Sequence, residues 1–451
     1  MTRRVPVFDR RRSGVLLPMS AIPAALGRGG RACIDWLAQA GFSVWQILPA
    51  GPVGPDGSPY WVRSDCAGNA AFIDLAELPD PRAPIGSDFL AAASPWLEDY
   101  ALFEALTRAH GGAPFWQWPR GLRDRDPKAL ARAREALADD VTRIEREQYA
   151  FWVQWHRLRE HALERGVRLF GDLPFYVGPS SVETWAHREL FQLKPTGEPA
   201  VVGGVPPDYF SELGQLWGNP AYDWQAMRRS DFSWWLTRVR VQLARLDLLR
   251  IDHFRALAAY WAVPAGAPDA RGGAWLSSPG GELLQRLRDE FSDLPLVAED
   301  LGVITDDVLA LKNGFGLPGM RVLQFGFDGD PANPHVPYRY ERECVAYTGT
   351  HDNDTTLGWY SSLDPDSAQR VDSYLHLRPG DMPEGLLLAA LGSVARLAII
   401  PAQDLLGLGS EARFNTPGTQ SGNWAWRLPP GALTPQLAQH YARLNDIFGR
   451  A

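Results

Sequence analysis

The chain has 451 residues, 45% of them hydrophobic and 22% charged, a composition typical of a globular protein. The chain is longer than a small domain with one core, but this length suits a single barrel with insertions. With 45 basic against 53 acidic residues, the net charge of -8 leaves no broad positive surface, which argues against nucleic acid as a partner.

The cysteines and the start of the chain indicate where the protein works. Cys33, Cys66 and Cys344 are scattered and odd in number, which disfavours a zinc site and a disulfide framework. The first residues hold too short an apolar stretch for a signal peptide, and no run approaches the length of a membrane helix. We therefore expect a soluble, cytoplasmic protein with no membrane association.

Seven apolar runs that end in polar, Gly or Pro residues are typical of buried parallel strands. In chain order they are 42–49, 167–172, 246–252, 294–299, 321–325, 344–348 and 398–401. Helix-period segments at 30–41 and 305–312 lie between some of them. This alternation predicts an α/β fold, and a (β/α)8 TIM barrel rather than a sandwich.

Two intervals are too long for ordinary connections. Residues 80–166 include a strongly helical stretch, 126–164, rich in Ala, Arg, Glu and Leu. Residues 178–243 carry Gly- and Pro-rich turns. Because neither interval has a repeat or a linker composition, we expect one barrel domain over 1–451 with inserted helical and loop subdomains.

The run 246–252 ends in a carboxylate, Asp252, at the position where (β/α)8 barrels keep catalytic groups. Arg250 lies two residues earlier and so on the same side of the strand. A guanidinium there favours the ionised carboxylate and orients it. The alternative is a purely structural ion pair between the two residues.

The run 294–299 ends in a second carboxylate, Glu299, which is followed by Asp300. A neighbouring like charge raises the pKa of one carboxyl, as a general acid near neutral pH requires. Two carboxylates facing one pocket supply the acid and the nucleophile of glycoside chemistry. Asp252 and Glu299 are therefore the first candidates for catalysis.

A third polar cluster, 347–355, ends another predicted strand. A carboxylate here and His351 are candidates for hydrogen bonds to sugar hydroxyls that strengthen in an oxocarbenium-like transition state. Two alternatives stay open. Asp354 and Thr355 merely start the next helix, or His351, Asp352 and Asp354 bind Mg²⁺ or Ca²⁺.

The segment 203–220 mixes Gly and Pro with aromatic residues and is a candidate lid over the barrel mouth. Tyr209 and Trp217 within it are expected to bind sugar and exclude water, while the alternative is a structural Ω-loop. The 18 tryptophans of the chain fit aromatic sugar contacts, although about half of them belong in the core.

Taken together, these segments resemble the 4-α-glucanotransferases, also called amylomaltases or disproportionating enzymes, of the α-amylase clan. The resemblance covers nearly the whole chain in the order of the family. It is carried by 14–17, 45–49, 58–60, 171–174, 206–217, 250–255, 298–302, 318–320, 347–359, 415–419 and 422–424. It implies a (β/α)8 barrel with inserted subdomains, no separate C-terminal β-domain and no cofactor.

The resemblance also implies roles for individual residues. Asp252 corresponds to the nucleophile, Glu299 to the general acid/base and Asp352 to a transition-state stabiliser, with Arg250 and His351 assisting at the cleavage subsite. The implied substrates are malto-oligosaccharides and α-1,4-glucans. The implied lining of the glucan groove is Ser58, Tyr60, Asp172, Trp217, Asp328 and Asn423.

The chain departs from the family pattern in three places. Residues 61–66, Trp-Val-Arg-Ser-Asp-Cys, stand where the family has Gln-Ser and an aromatic residue before Ala-Gly-Asn. Residues 180–183, Ser-Ser-Val-Glu, replace an Asp-Ser-Ala-Asp pattern, and 18–20 replace a His-Pro-Thr-Ser pattern. By the resemblance all three face the substrate and therefore bear on donor length, acceptor choice and transfer efficiency.

The predicted reaction is a retaining double displacement on α-1,4-glucan through a covalent glucosyl-enzyme. If a glucan 4-hydroxyl accepts the glucosyl group the product is a rearranged chain, and if water accepts it the protein is a hydrolase. Aromatic subsites that hold the acceptor and exclude water decide between them. The alternatives are an α-glucan hydrolase of the same clan and a non-catalytic glucan-binding barrel. The oligomeric state is not predicted.

Overall fold

The structure is a computed structural model that describes residues 7–54, 56–207, 212–419 and 421–451. Its strands are β1 (Arg12–Leu16), β2 (Val44–Gln46), β3 (Arg168–Leu173), β4 (Val201–Val205), β5 (Gln215–Pro220), β6 (Leu248–Ile251), β7 (Ala259–Pro264), β8 (Ala274–Ser277), β9 (Leu296–Ala298), β10 (Gly319–Val322), β11 (Cys344–Tyr347) and β12 (Leu397–Pro401).

The α-helices alternate with these strands along much of the chain. They are α1 (Arg28–Gln39), α2 (Ser87–Ala93), α3 (Leu97–Ala109), α4 (Arg120–Arg123), α5 (Pro127–Ala136), α6 (Ala138–Glu164), α7 (Val182–Ala186), α8 (Trp224–Arg229), α9 (Ser233–Arg245), α10 (Gly280–Phe291), α11 (Asp306–Gly314), α12 (Thr356–Ser362), α13 (Pro365–Leu375), α14 (Glu384–Gly392), α15 (Ala402–Leu405) and α16 (Pro435–Ile447).

Eight strands form a parallel barrel in the order β10, β11, β12, β1, β2, β3, β6 and β9. The remaining gap is bridged by the Ala298 N–H, which donates to the Pro318 carbonyl at 2.9 Å. One buried apolar cluster fills the interior and takes a side chain from every barrel strand. Its members include Leu16, Val44, Phe170, Leu248, Val297, Met320, Val345 and Leu397. The predicted (β/α)8 barrel is confirmed.

All seven predicted runs contain barrel strands, but the eighth barrel strand was not predicted and one run extends well past its strand. Strand β1, Arg12–Leu16, was not among the predicted runs because it begins with a charged and a polar residue that give no apolar signal. The run 321–325 is only partly a strand. Strand β10 ends at Val322, and Leu323–Phe325 form a 3-10 helix although the apolar pattern continues.

The interval between β2 and β3 holds helices α2 to α6, as the helical composition predicts. The stretch 126–164 is two helices rather than one. Asp126 caps α5 by accepting the Ala129 N–H at 2.9 Å, and α5 gives way to α6 at Leu137. The long helix α6 packs on the barrel through Trp155 and other core residues.

A second, antiparallel sheet has the strand order β5, β4, β7, β8. Strands β4 and β5 come from the interval 178–243, whereas β7 and β8 follow barrel strand β6. The small sheet therefore joins the chain before the candidate residue Asp252 to the chain after it.

Within the described ranges, no helix combines the length and apolar character that crossing a membrane requires. Cys33, Cys66 and Cys344 are all buried free thiols. Burial raises the pKa of the Cys33 thiol to about 12, so this thiol is in its protonated, unreactive form near neutral pH.

Candidate active site

Asp252 and Glu299 are neighbours at the C-terminal end of the barrel. Strands β6 and β9 pair in parallel with Ile251 opposite Ala298, so the next residue of each strand lies at the same edge. The Glu299 N–H donates to the Ile251 carbonyl at 3.1 Å, which extends the pairing by one residue. The structure therefore brings the two carboxylates together on adjacent strands.

Arg250 is buried between two carboxylates. Its Nη1 donates to both Asp172 oxygens at 2.8 and 2.7 Å, and its Nη2 lies 2.9 Å from Asp252 Oδ1. Its Nε donates to Met320 Sδ at 3.4 Å. Asp172 has a fully buried side chain, whereas that of Asp252 is 28% exposed. Arg250 thus holds Asp252 in one orientation while leaving it open to a ligand.

Glu299 is held by two backbone donors. Its Oε2 accepts the His253 N–H at 2.7 Å, and its Oε1 accepts the Leu301 N–H at 2.9 Å. Burial raises the pKa of Glu299 to about 7; the charge of Asp252 raises the pKa too, while Arg250 opposes the rise. The group therefore exchanges a proton near neutral pH, as a general acid and base must.

The backbone of His253 makes this arrangement possible. His253 has φ 48°, a left-handed conformation that is uncommon for a residue with a side chain. Burial lowers the pKa of its imidazole to about 4, so the ring is neutral beside Asp252. The strained turn after β6 thus points a backbone donor at Glu299 without adding a positive charge.

Asp352 lies in the loop after β11. Its Oδ1 accepts from Asn415 Nδ2 at 2.7 Å, and its Oδ2 lies 3.4 Å from His351 Nε2. The Asp352 side chain remains 46% exposed. An oriented, accessible carboxylate of this kind can accept hydrogen bonds from hydroxyl groups of a bound ligand.

The loop 348–356 is closed at its base by one buried carboxylate, Asp404 of α15. Asp404 accepts hydrogen bonds from Thr348 Oγ1, from the Thr356 N–H and from Thr356 Oγ1, each at 2.7 Å. Thr355 caps helix α12, in line with the helix-start alternative. Both ends of the loop are therefore fixed, which limits how far His351 and Asp352 can move.

Three rings form an aromatic wall next to the carboxylates. The Tyr60 and His351 rings stack at 5.0 Å and 20°, and the Trp424 ring lies 6.0 Å from each of them. The Tyr60 hydroxyl donates to Asp172 Oδ2 at 2.7 Å. Because Asp172 binds Arg250, the wall is connected to the catalytic candidates by direct hydrogen bonds.

Comparison with known proteins shows the family to which this chain belongs. A family model described as 4-alpha-glucanotransferase matches residues 25–87 and 79–434. The chain is 44% identical to the 4-alpha-glucanotransferase of Thermus thermophilus, over 96% of this chain and 97% of that protein. It is 41% identical to the 4-alpha-glucanotransferase of Synechocystis sp., over 98% of this chain and 99% of that protein. The chain belongs to the 4-alpha-glucanotransferase family.

A solved structure agrees with this glucanotransferase assignment. The amylomaltase from Streptococcus agalactiae in complex with acarbose has a TM-score of 0.92 and 32% sequence identity, covering 98% of this chain and 100% of that chain. The family resemblance expected from the sequence is confirmed. The glucanotransferase transfers α-1,4-glucan segments.

Two of the remaining expected binding residues touch the site directly. Ser58 Oγ accepts the Tyr60 N–H at 3.2 Å and so shapes the loop that carries this ring. Trp217 of β5 packs edge-on against the His253 ring at 4.7 Å. The small sheet of the glucanotransferase thus reaches the catalytic turn.

The three other expected binding residues are not seen in contact with the catalytic candidates among the residues that the structure describes. Asn423 Oδ1 accepts the Thr416 N–H at 2.9 Å and lies next to the aromatic wall in sequence. The exposed Asp328 accepts from Asn333 Nδ2 at 2.9 Å within its own loop. Tyr209 lies outside the described residues.

Two further polar candidates from the sequence have structural partners. Asp300 binds Lys312 Nζ at 2.7 Å and the Met320 N–H at 2.7 Å, so it joins β9 to α11 and β10. Asp354 Oδ2 accepts from Ser410 Oγ at 2.8 Å. Among the residues that the structure describes, no group of three or more His, Cys, Asp or Glu side chains is arranged to hold a metal ion.

Sequence reasoning gave no individual role to His253, Met320 or Asn415. His253 acts through its backbone N–H, for which no side-chain pattern exists. Met320 meets Arg250 across the barrel, and Asn415 lies 63 residues from its partner Asp352. For Asn415, the local sequence offered only the Asn-Thr-Pro-Gly turn at 415–418.

Proposed function

We propose that Asp252 is the nucleophile, Glu299 the general acid/base and Asp352 the transition-state stabiliser of glucan transfer. The donor is a malto-oligosaccharide and the acceptor is the 4-hydroxyl of glucose or of another glucan. One observation carries the assignment: Arg250 pairs with Asp252 at 2.9 Å, while burial raises the pKa of the adjacent Glu299 to about 7. Two neighbouring carboxyls in unlike surroundings divide into nucleophile and acid.

In the first step, a carboxylate oxygen of Asp252 attacks the anomeric carbon of the donor. Glu299 gives its proton to the glycosidic oxygen as the bond to the leaving sugar breaks, and a covalent glucosyl ester forms on Asp252. The exposed Asp352 accepts hydrogen bonds from ring hydroxyls, and these strengthen as positive charge develops on the sugar. Asn415 and His351 hold Asp352 in place for this role.

In the second step, the ionised Glu299 takes the proton of the acceptor hydroxyl. The acceptor oxygen attacks the anomeric carbon and displaces Asp252, which regains its pairing with Arg250. Two inversions at one carbon retain the α configuration. Glu299 ends the cycle protonated and ready for the next donor.

Aromatic surfaces favour transfer over hydrolysis. The wall of Tyr60, His351 and Trp424 lies beside Asp172, and the ring of Trp217 packs against His253. Flat rings hold sugar acceptors and displace water from the glucosyl ester. The amylomaltase from Streptococcus agalactiae was solved in complex with acarbose, which supports saccharides as ligands of this protein.

A reducing-end count separates the transferase from the hydrolase. Disproportionation of maltotriose breaks one glycosidic bond for each bond it makes, so the total number of reducing ends stays constant while longer oligosaccharides appear. Hydrolysis raises that number with every turnover. Glucose and maltose accumulating with no longer products would defeat the transferase proposal, and a total absence of turnover would favour the non-catalytic barrel.

Replacement of Asp252 tests the nucleophile. We expect Asp252→Ala to lose maltotriose turnover by about 1000-fold or more, because no covalent ester can form. Binding of maltoheptaose, followed by calorimetry, should persist since the groove is intact. Asp88→Ala, which removes an exposed carboxylate of α2, serves as the matched control and should keep full turnover. Unchanged activity in Asp252→Ala would remove this residue from the mechanism.

We also propose that the protein works in the cytoplasm. The three buried free thiols suit a reducing compartment. Among the plant relatives, that of Solanum tuberosum is named chloroplastic/amyloplastic. Fractionation of the producing cells, with detection by antibody, tests the location; recovery in a secreted fraction would contradict it.

A further inference from the structure

Two of the three segments that differ from the family pattern in the sequence analysis, 61–66 and 180–183, pack against each other. Glu183 Oε1 accepts from Ser64 Oγ at 3.0 Å and from the Asp65 N–H at 2.9 Å. All three residues are buried, with Glu183 4% exposed. These two segments therefore form one buried joint between the 61–66 loop and helix α7 rather than two separate surface changes.

The joint continues into the barrel through Arg238 of α9, which is 1% exposed. Its Nε pairs with Asp65 Oδ2 at 2.8 Å. Its Nη1 donates to the Phe175 carbonyl at 3.0 Å, and its Nη2 donates to the Pro174 carbonyl. These carbonyls follow directly after strand β3, which carries Asp172. Arg238 thus ties the first loop to the end of β3.

The segments tied together here are the ones whose side chains meet in the active site. Tyr60 precedes Asp65 in the same loop, and its hydroxyl donates to Asp172 Oδ2 at 2.7 Å. Asp172 in turn binds Arg250 through both of its oxygens. A shift of the loop relative to β3 would break the hydrogen bond from Tyr60 to Asp172. The Asp172 carboxylate could then move, and with it Arg250, which pairs with Asp252.

We propose that Glu183, Asp65 and Arg238 form a positioning unit for the catalytic groups of strand β6. This inference rests on the role proposed above for Asp252. The unit touches neither the reacting carboxylates nor their direct partner; it sets the separation between the Tyr60 hydroxyl and Asp172. Displacements of about 1 Å in groups remote from the chemistry cost up to about 100-fold in rate, so the effect is measurable.

Variants at Glu183 test the unit. Glu183→Ala removes the acceptor shared by Ser64 and Asp65, and we expect kcat for maltotriose disproportionation to fall about tenfold with KM within about twofold. Glu183→Gln keeps an acceptor oxygen and should return kcat to within about twofold of the unaltered protein. Asp247→Ala is the matched control. Asp247 is a buried carboxylate at the opposite end of β6, where it accepts the Leu169 N–H at 3.0 Å.

Asp247→Ala should lower the melting temperature but keep kcat, because that end of the barrel is remote from the chemistry. If Glu183 were merely structural, Glu183→Ala would behave in the same way, and an unchanged kcat would overturn the positioning role. A kcat loss in Glu183→Gln equal to that in Glu183→Ala would also overturn it.

A double-mutant cycle identifies the route of the effect. Tyr60→Phe removes the hydroxyl that binds Asp172. If Glu183 acts through this bond, adding Glu183→Ala to Tyr60→Phe should lower kcat no further; multiplied losses would overturn the proposal. Asp252→Ala is measured in the same assay. Activity surviving there contradicts the proposed function, whereas full activity in Glu183→Ala contradicts only the positioning role.

Discussion

At the scale of single residues, Asp252 and Glu299 differ through their surroundings and not through their chemistry. Asp252 faces a guanidinium, while Glu299 accepts two backbone N–H groups and has its pKa raised to about 7, first by burial. The position of Arg250 beside Asp252 follows from the two-residue period of a strand and was predictable. The backbone donors to Glu299 were not, because they depend on a left-handed turn at His253.

The raised pKa of Glu299 predicts the pH dependence of the glucanotransferase. The protonated form is the acid of the first step, so it is present below pH 7 and is lost as the pH rises through about 7. We expect kcat/KM for maltotriose to fall on the alkaline side with an apparent pKa of about 7. A pH–rate profile measures this.

Glu299→Gln provides the control for that profile. It cannot donate a proton, so it should lose turnover of maltotriose while still releasing fluoride from a maltosyl fluoride donor, whose leaving group needs no proton. A profile of the unaltered protein that stays flat through pH 7, or full maltotriose turnover by Glu299→Gln, would contradict the acid assignment.

At the scale of elements, the small sheet brings residues from outside the barrel to its mouth. Trp217 of β5 lies 4.7 Å from the His253 ring and 6.2 Å from the Tyr176 ring. The segment 203–220 was predicted to carry Trp217 over the barrel mouth, but its pairing with β7, which follows the catalytic strand, was not visible in the sequence. Strand pairing between distant segments depends on the whole fold, whereas aromatic content is a local property.

The position of Trp217 predicts its effect on product choice. Trp217→Ala opens the catalytic turn to water and removes an aromatic surface for the acceptor. We expect reducing ends to increase during maltotriose turnover, with hydrolysis rising about tenfold relative to transfer. Trp217→Phe keeps a flat ring and should behave nearly as the unaltered protein. A constant reducing-end count in Trp217→Ala would show that this ring does not exclude water.

At the scale of the whole molecule, the start of strand β1 meets Arg450 at the barrel end opposite the active site. Strand β1 lies between β12 and β2, so the barrel closes only when the first and last barrel strands pair. Arg450 is fully buried there and donates to the carbonyls of Arg12 at 2.8 Å, Leu391 at 2.6 Å and Ser393 at 3.1 Å. Contacts at this end of a (β/α)8 barrel contribute to the stability of the fold and not to catalysis.

Arg450 therefore separates stability from activity. Arg450→Ala removes a fully buried guanidinium and its hydrogen bonds to three backbone carbonyls, although Arg11 still donates to those of Leu391 and Ser393. We expect the free energy of unfolding to fall by about 3 kcal/mol. The kcat and KM for maltotriose should stay unchanged at a temperature where the variant is folded. Thermal unfolding and steady-state kinetics measure both quantities. Arg396→Ala, which removes an exposed ion pair with Glu343, is the control and should barely change stability. A loss of kcat in folded Arg450→Ala would contradict the separation.

The barrel and its candidate carboxylates were predictable from local sequence patterns. Apolar runs, their spacing and the polar residues that end them are local properties, so Asp252 and Glu299 could be placed at strand ends before any contact was known. The hydrogen-bond partners became visible in the folded chain: Asn415 for Asp352, the His253 N–H for Glu299, and Glu183 for Ser64. Hydrogen bonds between segments tens of residues apart depend on how the elements pack, and no local pattern records that packing.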